Sequence, residues 1–247
     1  MSFIAIDLDG TLLNDKNEIS EENIKAIQYA QHRGFEVVIS TGRAYFDVQT
    51  ICEKAGISPF VIGTNGATIH SKSGKCISSV TITKDCVQSI LQWLDERNYY
   101  YEVFTDKAIY TLKKGREHFQ NEIKSLKSAE LNTDMKELVE VAERQFDQVG
   151  YVLVENFHDI LKQEEEFYNI LACSFDKNKL EDAWNQFKKF DELMVVSSAD
   201  HNIEITSKRA SKGMALEKLA FLMNGSLDQA MAIGDSNNDL SMFQTVR

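Results

Sequence analysis

The sequence lacks an apolar run of the roughly 20 residues that a membrane-spanning helix requires. Its first residues lead directly into a strand-like run, without the basic region, apolar segment and cleavage site of a secretory leader. Basic residues are scarce, because 27 lysines and arginines stand against 38 acidic residues and give a formal net charge of −11. Neither nucleic acid nor a membrane surface is therefore expected as a partner, since both require a basic face to neutralise phosphates.

Cysteine is limited to four residues, and their spacing is that of neither a disulfide framework nor a metal site: Cys52, Cys76, Cys86 and Cys173. Free thiols in a reducing compartment explain this pattern most simply, so we expect a cytoplasmic protein. The five histidines are scattered and do not suggest a metal site. With 247 residues, the chain is long enough for a compact core and an insertion.

The first apolar run, residues 3–6, ends in two carboxylates within Asp7-Leu8-Asp9-Gly10-Thr11. A short run rich in β-branched residues favours a buried strand. Aspartate and glycine also form ordinary surface turns, so this motif alone is ambiguous. An EF-hand is excluded, because Leu12 occupies the position of the required glycine and a strand takes the place of the preceding helix. In an open parallel sheet, ligands bind at the carboxyl ends of strands, where both acids would lie.

Two further predicted strands also end in polar residues. Residues 35–39 lead into Ser40-Thr41-Gly42-Arg43, and residues 60–63 lead into Thr64-Asn65-Gly66. Between the strands, a helix is predicted from a Ser20 cap to Gly34 and another over residues 45–54. The repetition of strand, polar exit and helix is typical of βαβ units in a parallel sheet.

The pattern changes over residues 83–203. This segment favours an α+β arrangement, with predicted helices over 85–97 and 177–190 and predicted strands over 99–104, 108–112, 168–175, 193–197 and 202–206. It has no phosphate-binding or metal spacing, and we interpret it as an inserted domain.

The parallel pattern returns after the insertion. Ser211-Lys212-Gly213 starts a predicted helix, and a strand over 229–233 leads into Gly234-Asp235-Ser236-Asn237-Asn238-Asp239. The predicted fold class is therefore α/β, with a Rossmann-like parallel-sheet core over residues 1–82 and 204–247 and an inserted α+β domain over residues 83–203.

The polar motifs resemble, in this order, those of the haloacid dehalogenase (HAD) superfamily. The large insertion between Asn65-Gly66 and Ser211-Lys212-Gly213 resembles that of its Cof-type phosphatases, which carry a C2-type α+β cap. The resemblance covers nearly the whole chain, although the cap matches only in size and coarse pattern. It implies Mg²⁺-dependent hydrolysis of small-molecule phosphomonoesters, such as sugar phosphates or phosphorylated cofactors, through an aspartyl-phosphate. A catalytically silent phospho-ligand-binding protein and a phosphoryl mutase or transferase are the alternatives.

The resemblance also implies a catalytic centre. Asp7 would be the nucleophile, and Asp9 would be the acid that protonates the leaving oxygen and the base that activates water. Mg²⁺ would be bound by the carboxylates of Asp7 and Asp235 and by the backbone carbonyl of Asp9. These roles suit the chemistry, because a phosphate dianion repels nucleophiles unless its charge is neutralised.

The remaining motif residues would bind phosphate or substrate. Thr41 and Lys212 would hold the transferring phosphoryl group; the alternatives are a helix N-cap and a solvated lysine. Asp239 would support Lys212 or the metal, or act as a first-turn helix acid. Three residues would hold the substrate or serve only as turn and cap residues: Arg43, Asn65 and Asn238. Two glycines would make room for phosphate near the backbone: Gly10 and Gly42.

The end of the sequence departs from the resemblance. Relatives continue beyond the last acidic motif with a strand, a Gly-Asn-Ala-like loop and a helix, whereas this sequence stops at Arg247. The second core segment is thus expected to be truncated, leaving an exposed sheet edge and apolar surface. Reduced stability or self-association would follow.

Overall fold

The computed structural model describes residues 2–128, 140, 143, 146 and 148–246. The chain divides into two compact units, which we call the core unit (Met1–Val80 and Ser207–Arg247) and the inserted unit (Thr81–Thr206). From the sequence pattern, the boundaries were predicted after residues 82 and 203. The assignment of the two units to a family core and cap stays a prediction. Part of the predicted cap, within residues 129–147, lies outside the described residues.

The strands and helices follow one another along the chain as the sequence pattern broadly predicts. The strands are β1 Ser2–Ile6, β2 Phe35–Ser40, β3 Phe60–Gly63, β4 Thr68–His70, β5 Cys76–Ser79, β6 Tyr100–Thr105, β7 Ile109–Leu112, β8 Tyr151–Val154, β9 Phe167–Cys173, β10 Leu193–Val196, β11 Asn202–Ser207 and β12 Met231–Ile233. The helices are α1 Glu21–His32, α2 Tyr45–Ala55, α3 Lys84–Glu96, α4 Lys113–Ser128, α5 Phe157–Leu161, α6 Lys177–Phe187, α7 Lys212–Leu222 and α8 Leu240–Thr245.

The core unit is built on a six-stranded sheet in the order β12-β1-β2-β3-β4-β5. Strands β12, β1, β2 and β3 are parallel, whereas β4 and β5 are antiparallel additions. Ile6 of β1 is in register with Ile39 of β2 and with Ile233 of β12, so these strands end at the same level. The parallel α/β fold predicted from the sequence is confirmed.

Apolar side chains cover both faces of this sheet. On one face, Ile6 and Ile39 pack with Ile27 of α1 and Val48 of α2. On the other face, Phe3 and Val38 pack with helices α7 and α8. Burial on both faces explains why the parallel strands are continuous apolar runs rather than alternating ones.

As predicted, Ser20 caps α1 by accepting a hydrogen bond from the backbone N–H of Asn23 (3.2 Å).

The edge strand β12 has partly solvated side chains. Met231 and Ile233 are exposed, and β12 is paired with β1 on one side. Self-association through such a surface stays a prediction.

Among the described residues, no helix is both long and apolar enough to cross a membrane. All four cysteines are free thiols, as predicted.

The inserted unit contains a second six-stranded sheet, in the order β10-β11-β9-β6-β7-β8. Antiparallel pairs join β6 to β7 and β9, and β9 to β11, while β7 and β8 are parallel. Its apolar core includes Leu91 of α3, Ile160 of α5 and Phe187 of α6. The α+β character predicted for this segment is confirmed; β8, α4 and α5 were not predicted.

Candidate active site

Aligned strand ends bring the polar motifs of the core unit to one edge of its sheet. Directly after β1, the backbone N–H of Asp7 donates to the carbonyl of Ile233 in β12 (2.9 Å). Directly after β2, the backbone N–H of Thr41 donates to the carbonyl of Ile62 in β3 (2.9 Å). The loop that contains Asp235 follows β12. The carboxyl edge of the parallel strands therefore carries the candidate site, as is usual in open α/β sheets.

Lys212 joins two of these motifs from the start of α7. Its side chain is 1% exposed, and its Nζ donates to Asp7 Oδ1 (2.7 Å) and to Asp239 Oδ1 (2.7 Å). Ser211 caps α7 by accepting a hydrogen bond from the backbone N–H of Met214 (3.1 Å). The alternative of a solvated lysine is excluded by this burial and by both ion pairs.

The Asp7 carboxylate is short of positive charge despite its contact with Lys212. Burial raises the pKa of Asp7 to about 7, while Lys212 acts in the opposite direction and Asp239 and Asp9 add to the rise. The pKa of Lys212 is itself raised, because Asp7 and Asp239 outweigh the effect of burial. A further cation beside Asp7 would favour its ionised form.

Three carboxylates could hold such a cation. Asp7, Asp235 and Asp239 each offer an oxygen, and these atoms lie within 4.8 Å of one another. Both oxygens of Asp239 already accept hydrogen bonds, Oδ1 from Lys212 and Oδ2 from the backbone N–H groups of Asp235 and Ser236. Asp235 is exposed, and its oxygens accept from the rotatable hydroxyls of Thr11 (3.0 Å) and Ser236 (3.4 Å) rather than from a lysine and backbone N–H groups. Asp7 and Asp235 are therefore the better ligands, and Asp239 is suited to support. Hard oxygen donors of this kind fit Mg²⁺.

Gly10 allows the loop after β1 to approach Asp235. Its φ is +75°, and a Cβ at this position would lie 2.4 Å from Asp235 Oδ2. The close neighbour is thus a carboxylate of the site. At Gly42 a Cβ would lie 3.3 Å from Asn65 Oδ1, which is a tight contact. Thr11 donates a hydrogen bond to Asp235 Oδ1 (3.0 Å).

Arg43 lies between two carboxylates. Its Nε and Nη2 donate to Asp9 Oδ2 (2.8 Å) and Oδ1 (2.6 Å), and its Nη1 donates to Asp47 Oδ2 (2.8 Å). Burial disfavours the charged guanidinium, but Asp9 and Asp47 outweigh it and raise the pKa of Arg43. Sequence reasoning missed Asp47; the available signal was an acidic residue in the first turn of α2, four positions after Arg43.

The loops after β2, β3 and β12 are tied together. Asn238 Nδ2 donates to Asn65 Oδ1 (3.0 Å), and the backbone N–H of Asn65 donates to the carbonyl of Thr41 (3.0 Å). Thr41 is buried, and its Oγ1 accepts a hydrogen bond from the backbone N–H of Arg43, so its own hydroxyl proton can be donated. The N-cap of α2 is Ala44, so Thr41 is not the helix N-cap that was considered as its alternative role.

Asp239 both supports Lys212 and acts as a first-turn helix acid, the two roles considered for it. It binds Lys212 and closes a capping box with Ser236.

Known proteins are similar to this chain over nearly its whole length. A family model described as haloacid dehalogenase-like hydrolase matches residues 4–247. The chain belongs to this family. A solved structure of a haloacid dehalogenase-like hydrolase from B. subtilis superposes with a TM-score of 0.87 at 46% identity, covering 100% of this chain and 87% of that one.

Two curated relatives of this haloacid dehalogenase-like hydrolase come from Bacillus subtilis. Phosphatase YwpJ is 47% identical over 246 residues, which are 99% of this chain and 86% of the relative. The 5-amino-6-(5-phospho-D-ribitylamino)uracil phosphatase YwtE is 38% identical over 244 residues, which are 99% of this chain and 85% of the relative. The chain is thus an enzyme of the phosphatase type within the family.

Proposed function

We propose that this hydrolase cleaves small-molecule phosphate monoesters in the presence of Mg²⁺, with Asp7 as the nucleophile. The observation that carries this proposal is the buried Nζ of Lys212 between Asp7 and Asp239, with the Asp235 carboxylate beside them. A phosphate dianion repels a carboxylate, so the attack requires fixed positive charge at this point. The family membership and the phosphatase names of its relatives support the same reaction class.

The first step forms a bond between an Asp7 oxygen and phosphorus. The ester oxygen leaves with a proton from Asp9, which gives an alcohol and an aspartyl-phosphate. In the second step, water attacks phosphorus while Asp9 takes its proton, and the bond to Asp7 breaks. Inorganic phosphate leaves and both acids return to their starting states. Covalent catalysis of this kind divides one difficult displacement into two easier ones.

Other side chains of the chain hold the phosphoryl group. Lys212 neutralises charge on Asp7 and on the phosphoryl oxygens, and the Thr41 hydroxyl donates a hydrogen bond to phosphate. Asp239 orients Lys212. Three residues contact the substrate: Arg43, Asn65 and Asn238. When bound, Mg²⁺ supplies further charge neutralisation, held by the carboxylates of Asp7 and Asp235 and the backbone carbonyl of Asp9.

The substrates are sugar phosphates or phosphorylated cofactors. The first candidate to test is 5-amino-6-(5-phospho-D-ribitylamino)uracil, because it appears in the name of YwtE, which is 38% identical. A cytoplasmic location is part of the proposal, and the four free thiols support it.

The test is phosphate release from a panel of sugar phosphates, nucleotides and phosphorylated cofactors, with Mg²⁺ or with a chelator. Wild type is compared with Asp7→Asn and with Asp15→Asn, which alters an exposed aspartate of the same unit. Metal-dependent release by wild type and Asp15→Asn, but not by Asp7→Asn, is expected.

Two results would contradict hydrolysis. A folded wild type that binds phosphate esters but releases no phosphate would indicate a phospho-ligand-binding protein. Phosphate that appears only on an added sugar acceptor, and not in solution, would indicate a mutase or transferase.

A further inference from the structure

The two carboxylates around Arg43 differ in burial and in support. The side chain of Asp47 is 5% exposed and that of Arg43 is 9% exposed, whereas that of Asp9 is 54% exposed. Asp47 belongs to the first turn of helix α2, while Asp9 belongs to the loop after β1. Asp47 is therefore the fixed partner of the guanidinium, and Asp9 is the partner that can leave into solvent.

The Arg43 backbone is held by its neighbours. Its N–H donates to Thr41 Oγ1 (3.2 Å), and its carbonyl accepts from the backbone N–H of Thr64 (2.9 Å). Only the side-chain torsions of Arg43 can then move the guanidinium. Its Nη1 is bound to Asp47, which directs the opposite edge, Nε and Nη2, toward Asp9.

We propose that Asp47 is a positioning residue, whose carboxylate holds the Arg43 guanidinium opposite Asp9 and allows Asp9 to be released during turnover. This inference rests on the proposed function, in which Asp9 moves protons. A buried cation must keep a counter-ion, because an unpaired buried charge is strongly unfavourable. With Asp47 in place, the guanidinium stays neutralised when Asp9 leaves. Without Asp47, Asp9 is the remaining counter-ion of this pair and is held more tightly.

The first test is Asp47→Asn, which keeps the shape and an acceptor oxygen but removes the charge. We expect kcat to fall about tenfold while KM changes by less than about twofold, because release of Asp9 follows binding. Glu36→Gln is the matched control, since Glu36 is a buried carboxylate of the same unit that pairs with Lys72 (2.7 Å). A merely structural role would lower the folded fraction and leave kcat per folded molecule unchanged.

The second test removes the Arg43 side chain and supplies a small soluble guanidinium compound in its place. Arg43→Ala should lose activity and regain part of it with methylguanidinium, and methylguanidinium should raise its unfolding temperature. Both effects should disappear in Arg43→Ala with Asp47→Asn, and persist in Arg43→Ala with Glu36→Gln. The double variant removes both members of the Arg43–Asp47 pair and so avoids leaving one of them buried alone.

Two outcomes overturn the inference. One is a wild-type kcat in Asp47→Asn; the other is equal binding of methylguanidinium by Arg43→Ala with and without Asp47. Absence of Mg²⁺-dependent phosphate release by wild type would instead refute the proposed function. The unfolding temperatures would still decide whether Asp47 holds a guanidinium group.

Discussion

Lys212 is the residue on which the charge balance of the site depends. It pairs with two carboxylates, and both pairs are buried. Buried ions of this kind are tolerated only when each has its counter-ion. The same arrangement places a cation where a phosphate group would need one, so stability and the proposed chemistry depend on the same nitrogen.

Lys212→Met should therefore destabilise the protein strongly. Removal of one partner from a buried ion pair costs about 3–5 kcal/mol, measured as the free energy of unfolding in urea. Lys218→Met, an exposed lysine of the same helix, is the control and should change little. Adding Asp7→Asn to Lys212→Met should restore part of the loss, and a double variant as unstable as Lys212→Met would refute this electrostatic explanation.

His70 should make stability dependent on pH. Its ring is stacked on Tyr45 with centroids 3.7 Å apart, and burial lowers the pKa of His70 to about 4 from 6.5. Between these values the unfolded chain binds a proton that the folded chain does not, so stability falls as pH decreases from 6.5 toward 4. His70→Gln should reduce the slope of unfolding temperature against pH over this range, and part of the slope should remain because burial also lowers the pKa of His201 to about 4. His32→Gln, at an exposed histidine, should retain the slope.

The turn between β3 and β4 shows how elements must fit around the site. Thr64 and Asn65 have φ values of +50° and +54°, and Gly66 has +92°. At Gly66 a Cβ would lie 2.1 Å from the carbonyl oxygen of Ser211, at the start of α7. This turn must pass directly against the helix that delivers Lys212. A left-handed backbone conformation costs about 1–3 kcal/mol per non-glycine residue, and the surrounding packing must offset this cost.

Alanine substitutions at Gly34 and Gly66 would distinguish the cost of backbone strain from the cost of steric crowding. Gly34 also has a positive φ (+86°), but a Cβ there would meet nothing within 4 Å. Gly34→Ala should therefore lose only the conformational term of about 1 kcal/mol. Gly66→Ala should lose clearly more and should also lower kcat, since α7 must shift. Equal changes in unfolding free energy for the two variants would show that crowding at Ser211 is unimportant.

Metal binding should connect distant parts of the whole chain. Asp7 lies near the beginning of the sequence and Asp235 near its end, yet both contribute to the same acidic cluster. A ligand that binds only the folded state stabilises it, by about 2.7 kcal/mol at 100 times its Kd. Mg²⁺ should thus raise the unfolding temperature of wild type in calorimetry. Asp235→Asn should abolish this increase and Asp15→Asn should not; an equal increase in Asp235→Asn would contradict the proposed ligand set.

The division into two units affects how the calorimetric unfolding curves should be interpreted. The core unit and the inserted unit each have their own apolar cores and their own sheet. Unfolding of a chain with two such units need not be a single two-state transition. An effect of Mg²⁺ is expected in the transition that belongs to the core unit.

Local patterns were sufficient to predict most of the parallel sheet. Apolar runs over residues 3–6, 35–39 and 60–63 correspond to β1, β2 and β3, because burial on both faces requires continuous apolar residues. The strands β4, β5 and β8 were not predicted. Their pairing depends on partners elsewhere in the sheets.

Local sequence also determined which residue types reach the carboxyl edge of the sheet, because a motif that directly follows a strand must lie where that strand ends. It could not determine which side chains bind one another there. Lys212 and Asp7 are 205 positions apart, and the Arg43–Asp9 pair joins two separate loops. Such contacts depend on strand register, on the close approach of Gly10 and Gly66, and on burial that makes each charge require a partner. Those are properties of the packed chain, and only the tertiary structure decides them.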